Sequence, residues 1–164
     1  MNPQPIRVVG VGSPHGDDAV GWQVVRCMRR QCTGVTGAEF MEVDGGQRLL
    51  DVLDGQGTLI LVDAIADGAA PGNVQRLEWP DTRIEVLAPG STHALRPAQA
   101  LQLAAVLGQL PPRVVIYGIS TTAMEPASGL NPAVAAAVEV AALRIEGELA
   151  ALTHAFAMQG DDHA

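Results

Sequence analysis

Along the chain, short β-branched runs alternate with stretches in which apolar residues recur every third or fourth position, so the pattern switches repeatedly between strand and helix. Residues 6–12 make a first strand rich in valine, followed by the turn-forming Ser13, Pro14, His15, Gly16, Asp17 and Asp18. Val20, Val24, Cys27 and Met28 then fall on one helical face, with Gln23, Arg26, Arg29 and Arg30 elsewhere, and the helix is expected to end between Cys32 and Gly34. A second strand covers 38–43 and closes on Asp44, Gly45 and Gly46, and residues 48–53 read as a short helix. Residues 58–65 are almost continuously apolar, as a strand covered on both faces must be, yet they include Asp63 near the carboxyl end. A further strand is expected at 73–79, while 81–89 stays undecided. Residues 99–107 suit a packed helix with Pro97 in its first turn, and 113–120 are the last strand. Residues 121–130 read as a loop. Asn131 and Pro132 then supply an N-cap residue and a first-turn proline for an alanine-rich helix to about Ala155.

Strands alternating with helices imply a mostly parallel sheet of about five strands with helices on both faces, a three-layer α/β/α sandwich. Nothing in the pattern divides the chain, so residues 1–157 read as one domain, with 158–164 as a disordered polar tail. At 164 residues such a domain buries a sizeable core without disulfides, and with 48% hydrophobic but only 3% aromatic residues that core must be aliphatic. A net charge of −8 and the lack of a basic stripe argue against nucleic acid. Arg26, Arg29 and Arg30 read as a solvated helix face. Cys27 and Cys32 have neither redox nor zinc spacing, which fits a reducing compartment. The first seven residues lack the basic start and apolar run of a secretion signal, and no apolar run approaches the roughly 18 residues that span a membrane. The expectation is a soluble cytoplasmic protein.

In open α/β sheets ligands bind outside the carboxyl ends of the strands, and the polar residues that follow strands here are Asp17, Asp18, Asp44, Asp63, Ser120 and Glu125. His93 joins them if its helix starts on the same edge. Each residue has a plain structural reading: Asp63 bonds backbone N–H groups, Asp17 or Asp18 caps a helix, His93 is a hydrogen-bonded core histidine. Together, however, two carboxylates and one imidazole make an open three-ligand site suited to a divalent ion such as Ni²⁺ or Zn²⁺. His15 is a candidate fourth ligand, although an exposed loop histidine is the simpler reading. Gly10 and Gly12 suggest a dinucleotide loop, but His15 stands where the third glycine belongs, and two acids at the helix start would repel a pyrophosphate. No phosphate-loop lysine and no Ser or Cys nucleophile motif is present.

These residues resemble the hydrogenase maturation proteases, which trim the C-terminus of the large subunit of [NiFe] hydrogenases. The likeness runs nearly end to end. It rests on Gly10, Gly12, Gly16, Asp17, Asp18 and Gly21 after the first strand, Asp44-Gly45-Gly46 after the second, Val62-Asp63-Ala64 in the third, Ser91-Thr92-His93, and Glu125-Pro126 with Gly129-Leu130. The resemblance implies that Asp18, Asp63 and His93 hold nickel and that Asp44, Gly45 and Gly46 line the substrate cleft. It implies a hydrogenase large-subunit precursor as partner, with nickel brought by that substrate and none tightly bound by the isolated protein. Asp17 is left as a candidate supporting carboxylate, and no nucleophile is named. The first loop is one residue shorter than the family's usual form, Ser13 stands where asparagine is common, and Gln47 stands where threonine is typical. Two rivals stand beside this reading: a nickel-binding accessory protein that uses the same three ligands to recognise the metallated subunit without cutting it, and a small-molecule hydrolase or nucleotide binder on a similar scaffold, disfavoured by the missing phosphate loop and the acids at the helix start.

Overall fold

A computed structural model of the protein describes residues 4–32, 37–81, 83, 95–122 and 129–160. Five strands, β1 (Ile6–Val11), β2 (Ala38–Val43), β3 (Thr58–Ile65), β4 (Val74–Glu78) and β5 (Arg113–Ser120), form one sheet in the order β2-β1-β3-β5-β4. Every pairing is parallel except that of β4, which runs antiparallel to β5 at the edge. A 3-10 turn (Gly16–Ala19) leads into α1 (Val20–Gln31); α2 (Gly46–Asp51), α3 (Pro97–Val106) and α4 (Pro132–Gly160) complete the architecture. The sheet is the expected α/β sandwich.

Alternation along the strands splits the core into two. Val8, Ile60, Val62, Val115 and Ile119 pack against Val24, Met28, Ala141 and Ile145 of α1 and α4. Val9, Leu59, Leu61, Val114 and Ile116 face the other way, onto Leu49, Leu101 and Ala104 of α2 and α3. Each fully buried aliphatic side chain contributes about 1.5–3 kcal/mol, so these two layers can carry the fold with almost no aromatic residues. All eight residues of β3 are buried, as its continuous apolar run requires. Arg26, Arg29 and Arg30 are exposed, and Arg26 and Arg29 pair with Glu42 of β2. Among the described residues no helix is long and apolar enough to cross a membrane.

Two helix boundaries differ from expectation. α2 begins at Gly46 because the Gly46 N–H is bonded to Leu95 O at 3.0 Å and the Leu49 N–H to Gly45 O at 3.0 Å, bonds that a local reading of two glycines as a turn does not contain. α4 continues through Gly160, beyond the end expected near Ala155, so Met158 and Gln159 are helical and not the start of a tail. Alanine, methionine and glutamine are good helix formers, and Phe156 packs on the core beneath.

The long helix α4 is latched to the sheet by one carboxylate. Glu148, whose side chain is 9% exposed, accepts a hydrogen bond from the Tyr117 hydroxyl and two from Arg76, from Nε at 3.0 Å and Nη2 at 2.6 Å. Glu148→Ala leaves the buried phenol without its acceptor, and such a loss costs about 1–3 kcal/mol. Urea unfolding should register that cost, and Glu148→Gln, which retains an acceptor, should lose less; equal midpoints for the native protein and Glu148→Ala would show the latch to be idle.

Candidate functional site

The chain order reverses direction between β1 and β3: β1 connects outward to β2, whereas the elements after β3 build the sheet on its other side. This switch point opens a crevice at the carboxyl ends of the two strands. Asp63 stands there. The ladder between β1 and β3 ends with Gly10 opposite Val62, so Asp63 lies one residue past the last rung, where the chain after β1 turns away.

Asp63 is 1% exposed. Its Oδ1 accepts a hydrogen bond from the Ala64 N–H at 2.8 Å, and its Oδ2 is buried with no partner among the described residues. On the β5 side it faces Gly118, and the Ile65 side chain lies over that glycine, so an apolar group covers this flank. Burial therefore pushes the Asp63 carboxyl well above the usual range; the nearby Asp18 charge pushes it further, and the Ala64 N–H offsets only part. A buried, half-bonded carboxylate beside a second acid calls for a cation or a proton.

Asp18 is brought to this point by glycines. A Cβ at Gly12 would overlap the Asp18 carbonyl oxygen, and a Cβ at Gly21 would overlap Val11 O and come within 2.6 Å of Val62 O. The start of α1 and the turn before it thus lie directly on the backbone of β1 and β3. The loop is then pinned by its own main chain: the Ser13 N–H reaches Asp18 O at 3.3 Å and the Asp18 N–H reaches His15 O at 3.2 Å. This is how a loop one residue short still delivers an acid to the sheet edge. His15 is exposed; no side-chain contact joins it to the two acids among the described residues.

The neighbouring rim belongs to the Asp44-Gly45-Gly46 turn. The Gly12 N–H and the Trp22 indole N–H both donate to Val43 O, at 3.1 and 2.9 Å, which joins the end of β2 to the loop after β1. Asp44 is exposed, 4.0 Å from Arg48 in a solvated pair of little energetic weight. Gly45 has a φ of 148°, a conformation that favours glycine, and a Cβ there would meet open space. Gly46 is buried against the carbonyl groups of Leu95 and Arg96, just before α3.

His93, with Ser91 and Thr92, lies outside the described residues, as do Glu125 and Pro126. Among the described residues no three His, Cys, Asp or Glu side chains come together as a metal site; Asp18 and Asp63 make a pair. Asp17 turns the other way, its Oδ1 accepting the Asn131 N–H at 2.7 Å at the start of α4. Ser120 shares the Asp63 face of the sheet, and its buried Oγ also has no partner among the described residues. Sequence reading missed the packing role of Gly12 and Gly21; a glycine inside a helix was the available signal.

Fold and site define a doubly wound α/β domain whose switch-point crevice is acidic, an arrangement hostile to phosphate ligands. The family model described as hydrogenase maturation protease (HycI) matches residues 35–148. The chain is 30% identical to the hydrogenase 2 maturation protease of Escherichia coli K12 over 152 residues, covering 90% of each. It is also similar to the solved structure of the E. coli maturating endopeptidase HybD, with a TM-score of 0.71 and 28% identity, over 92% of this chain and 93% of that one. The [NiFe] hydrogenase maturation protease HybD of Thermococcus kodakarensis shares the fold at a TM-score of 0.64 and 18% identity, over 88% and 99%. The chain belongs to the hydrogenase maturation protease family, and as a maturation endopeptidase it is a hydrolase.

Proposed function

We propose that the protein removes the C-terminal extension of a nickel-loaded [NiFe] hydrogenase large-subunit precursor, and that Asp18, Asp63 and His93 grip the nickel of that substrate. The observation that carries this reading is the buried, unpartnered Oδ2 of Asp63 beside Asp18. Two hard oxygen donors, with the imidazole of His93 as a third ligand, fit a borderline divalent ion and leave positions open for the ligands the ion brings with it. The protein's own residues bind and orient. Asp63 and Asp18 fix the metal end of the precursor at the switch point, while the turn at Asp44, Gly45 and Gly46 takes the extended tail alongside. The open backbone at Gly45 allows a peptide to approach closely, since no side chain stands in its way. Holding both ends of the scissile segment supplies proximity, and the nickel, when bound, supplies polarisation of a carbonyl or of water.

Family membership favours this reading over a non-cutting accessory protein or a small-molecule hydrolase. Purified protein, incubated with precursor loaded with nickel or free of it, should shorten only the loaded form by intact-mass measurement. Asp18→Ala, Asp63→Ala and His93→Ala should each lower the rate by at least about 100-fold while the domain stays folded, the range seen when a group that fixes reacting geometry is lost. Unchanged mass under both conditions would remove the assignment.

A further inference from the structure

Asp17 and Asp18 are adjacent acids, and the structure gives them different partners. Asp17 Oδ1 accepts the Asn131 N–H at 2.7 Å, a contact between residues 114 apart in the chain. Asn131 is the residue on which α4 starts: its side chain accepts the Ala133 N–H at 2.9 Å, and its carbonyl accepts the Ala135 N–H at 2.8 Å. Asp17 thus binds the 3-10 turn to the residue just before a 29-residue helix, at the end where the helix dipole favours an anion.

The consequence follows from the geometry of the turn. Successive side chains on a 3-10 helix diverge by about 120°, because it has three residues per turn. With Asp17 fixed on α4, Asp18 is directed to a different side; the turn packs against β3, and the start of α1 that follows it lies on Val62 O, next to Asp63. The main chain of the turn is held through Asp18 O, which takes the Ser13 N–H and lies against Gly12, and through His15 O, while Gly21 seats the start of α1 on Val11 and Val62; the bond from Asn131 to Asp17 ties the turn to α4 as well.

We propose that Asp17 is a positioning residue: its hydrogen bond to the start of α4 steadies the turn against that helix and so keeps Asp18 directed at Asp63. This rests on the functional reading above. The role needs an acceptor oxygen and no charge, which separates it from a role as ligand.

Three variants in the precursor assay decide it. Asp17→Ala should lower the cleavage rate about 10–100-fold, the usual cost of losing a group that orients a metal ligand. Asp17→Asn, which retains an acceptor for the Asn131 N–H, should stay within about threefold of the native rate. Asn131→Ala weakens the same helix end by removing its side-chain cap, leaves the bond to Asp17 intact, and should also stay near native. If Asp17→Asn is as inactive as Asp17→Ala, with a native melting temperature, the charge itself is required and the proposal is overturned. If Asn131→Ala falls with Asp17→Ala, Asp17 acts only as a helix cap, and the proposal fails too. Should Asp17→Ala not fold, the other two variants decide against the native rate: both within about threefold of it support the proposal, and a loss of about tenfold or more in either overturns it. Asp18→Ala and Asp63→Ala run in parallel guard the underlying reading: if they cut normally, that reading fails. Titration of the isolated proteins with Ni²⁺ then decides the positioning claim, with Asp17→Ala expected to bind about tenfold more weakly than native and Asp17→Asn about equally. Equal affinity for Asp17→Ala and native protein would refute it.

Discussion

Gly21→Ala should lower the melting temperature by roughly 10 °C or prevent folding, although alanine is the better helix former by about 0.5–1 kcal/mol. The usual sign reverses here because the added methyl would overlap Val11 O and come within 2.6 Å of Val62 O. Both are backbone atoms of paired strands, so neither can retreat without stretching the central ladder. Overpacking of this kind costs about 1–3 kcal/mol where side chains can shift and more where they cannot, against a total stability of about 5–15 kcal/mol. Thermal melting followed by circular dichroism measures it, and a variant as stable as the native protein would mean that α1 can lift off the sheet freely. That outcome would also weaken the account of how Asp18 reaches the site, because the same contact sets its height above β3.

The second large effect is a gain in stability. Asp63→Asn should abolish cleavage and yet make the metal-free protein more stable at pH 8 by about 1–3 kcal/mol, since it replaces a buried, half-bonded carboxylate by a neutral amide. The Ala64 N–H keeps its acceptor in the variant. The pH dependence has a definite sign. The folded carboxyl titrates well above its ordinary value of 3.8, so between 3.8 and the folded value the native state holds more protons than the unfolded chain. The stability contributed by protonated Asp63 is therefore complete below about pH 4 and is lost as the pH rises through the folded value. The gap between variant and native protein should be small at pH 4 and widen toward pH 8. Urea unfolding at pH 4, 6 and 8 tests this; a gap that stays constant, or a variant less stable at pH 8, contradicts a buried and unsatisfied carboxylate.

Those two residues also mark what sequence alone could convey. The run at 58–65 announced a doubly covered strand, and a lone aspartate within it announced a burial problem, because both are properties of the local pattern. The strands at 38–43 and 113–120 were legible for the same reason. The start of α2 was not, since it depends on the bond from Gly46 to Leu95, nearly fifty residues away. The end of α4 was misjudged because a polar, exposed end reads as a tail, whereas Phe156 anchors the last turns of the helix on the core. Asp17 and Asp18 are chemically equivalent as letters; what separates them is the azimuth of a 3-10 turn and the position of Asn131, both tertiary facts. Gly21 entered only as one position of the family motif, whereas it is the point where that helix touches two strands.

The bond between Gly46 and Leu95 joins two main-chain groups, and it burdens its two ends unequally. Position 46 must lack a side chain, since any Cβ would run into the carbonyl groups of Leu95 and Arg96. Position 95 contributes only a carbonyl, which nineteen other amino acids also possess, and its side chain is merely part of the apolar layer under α3. Position 95 can thus change its side chain and the chain just before α3 remain fastened at the same height. One contact constrains the rim of the crevice at position 46 and leaves the side chain at position 95 free of that constraint.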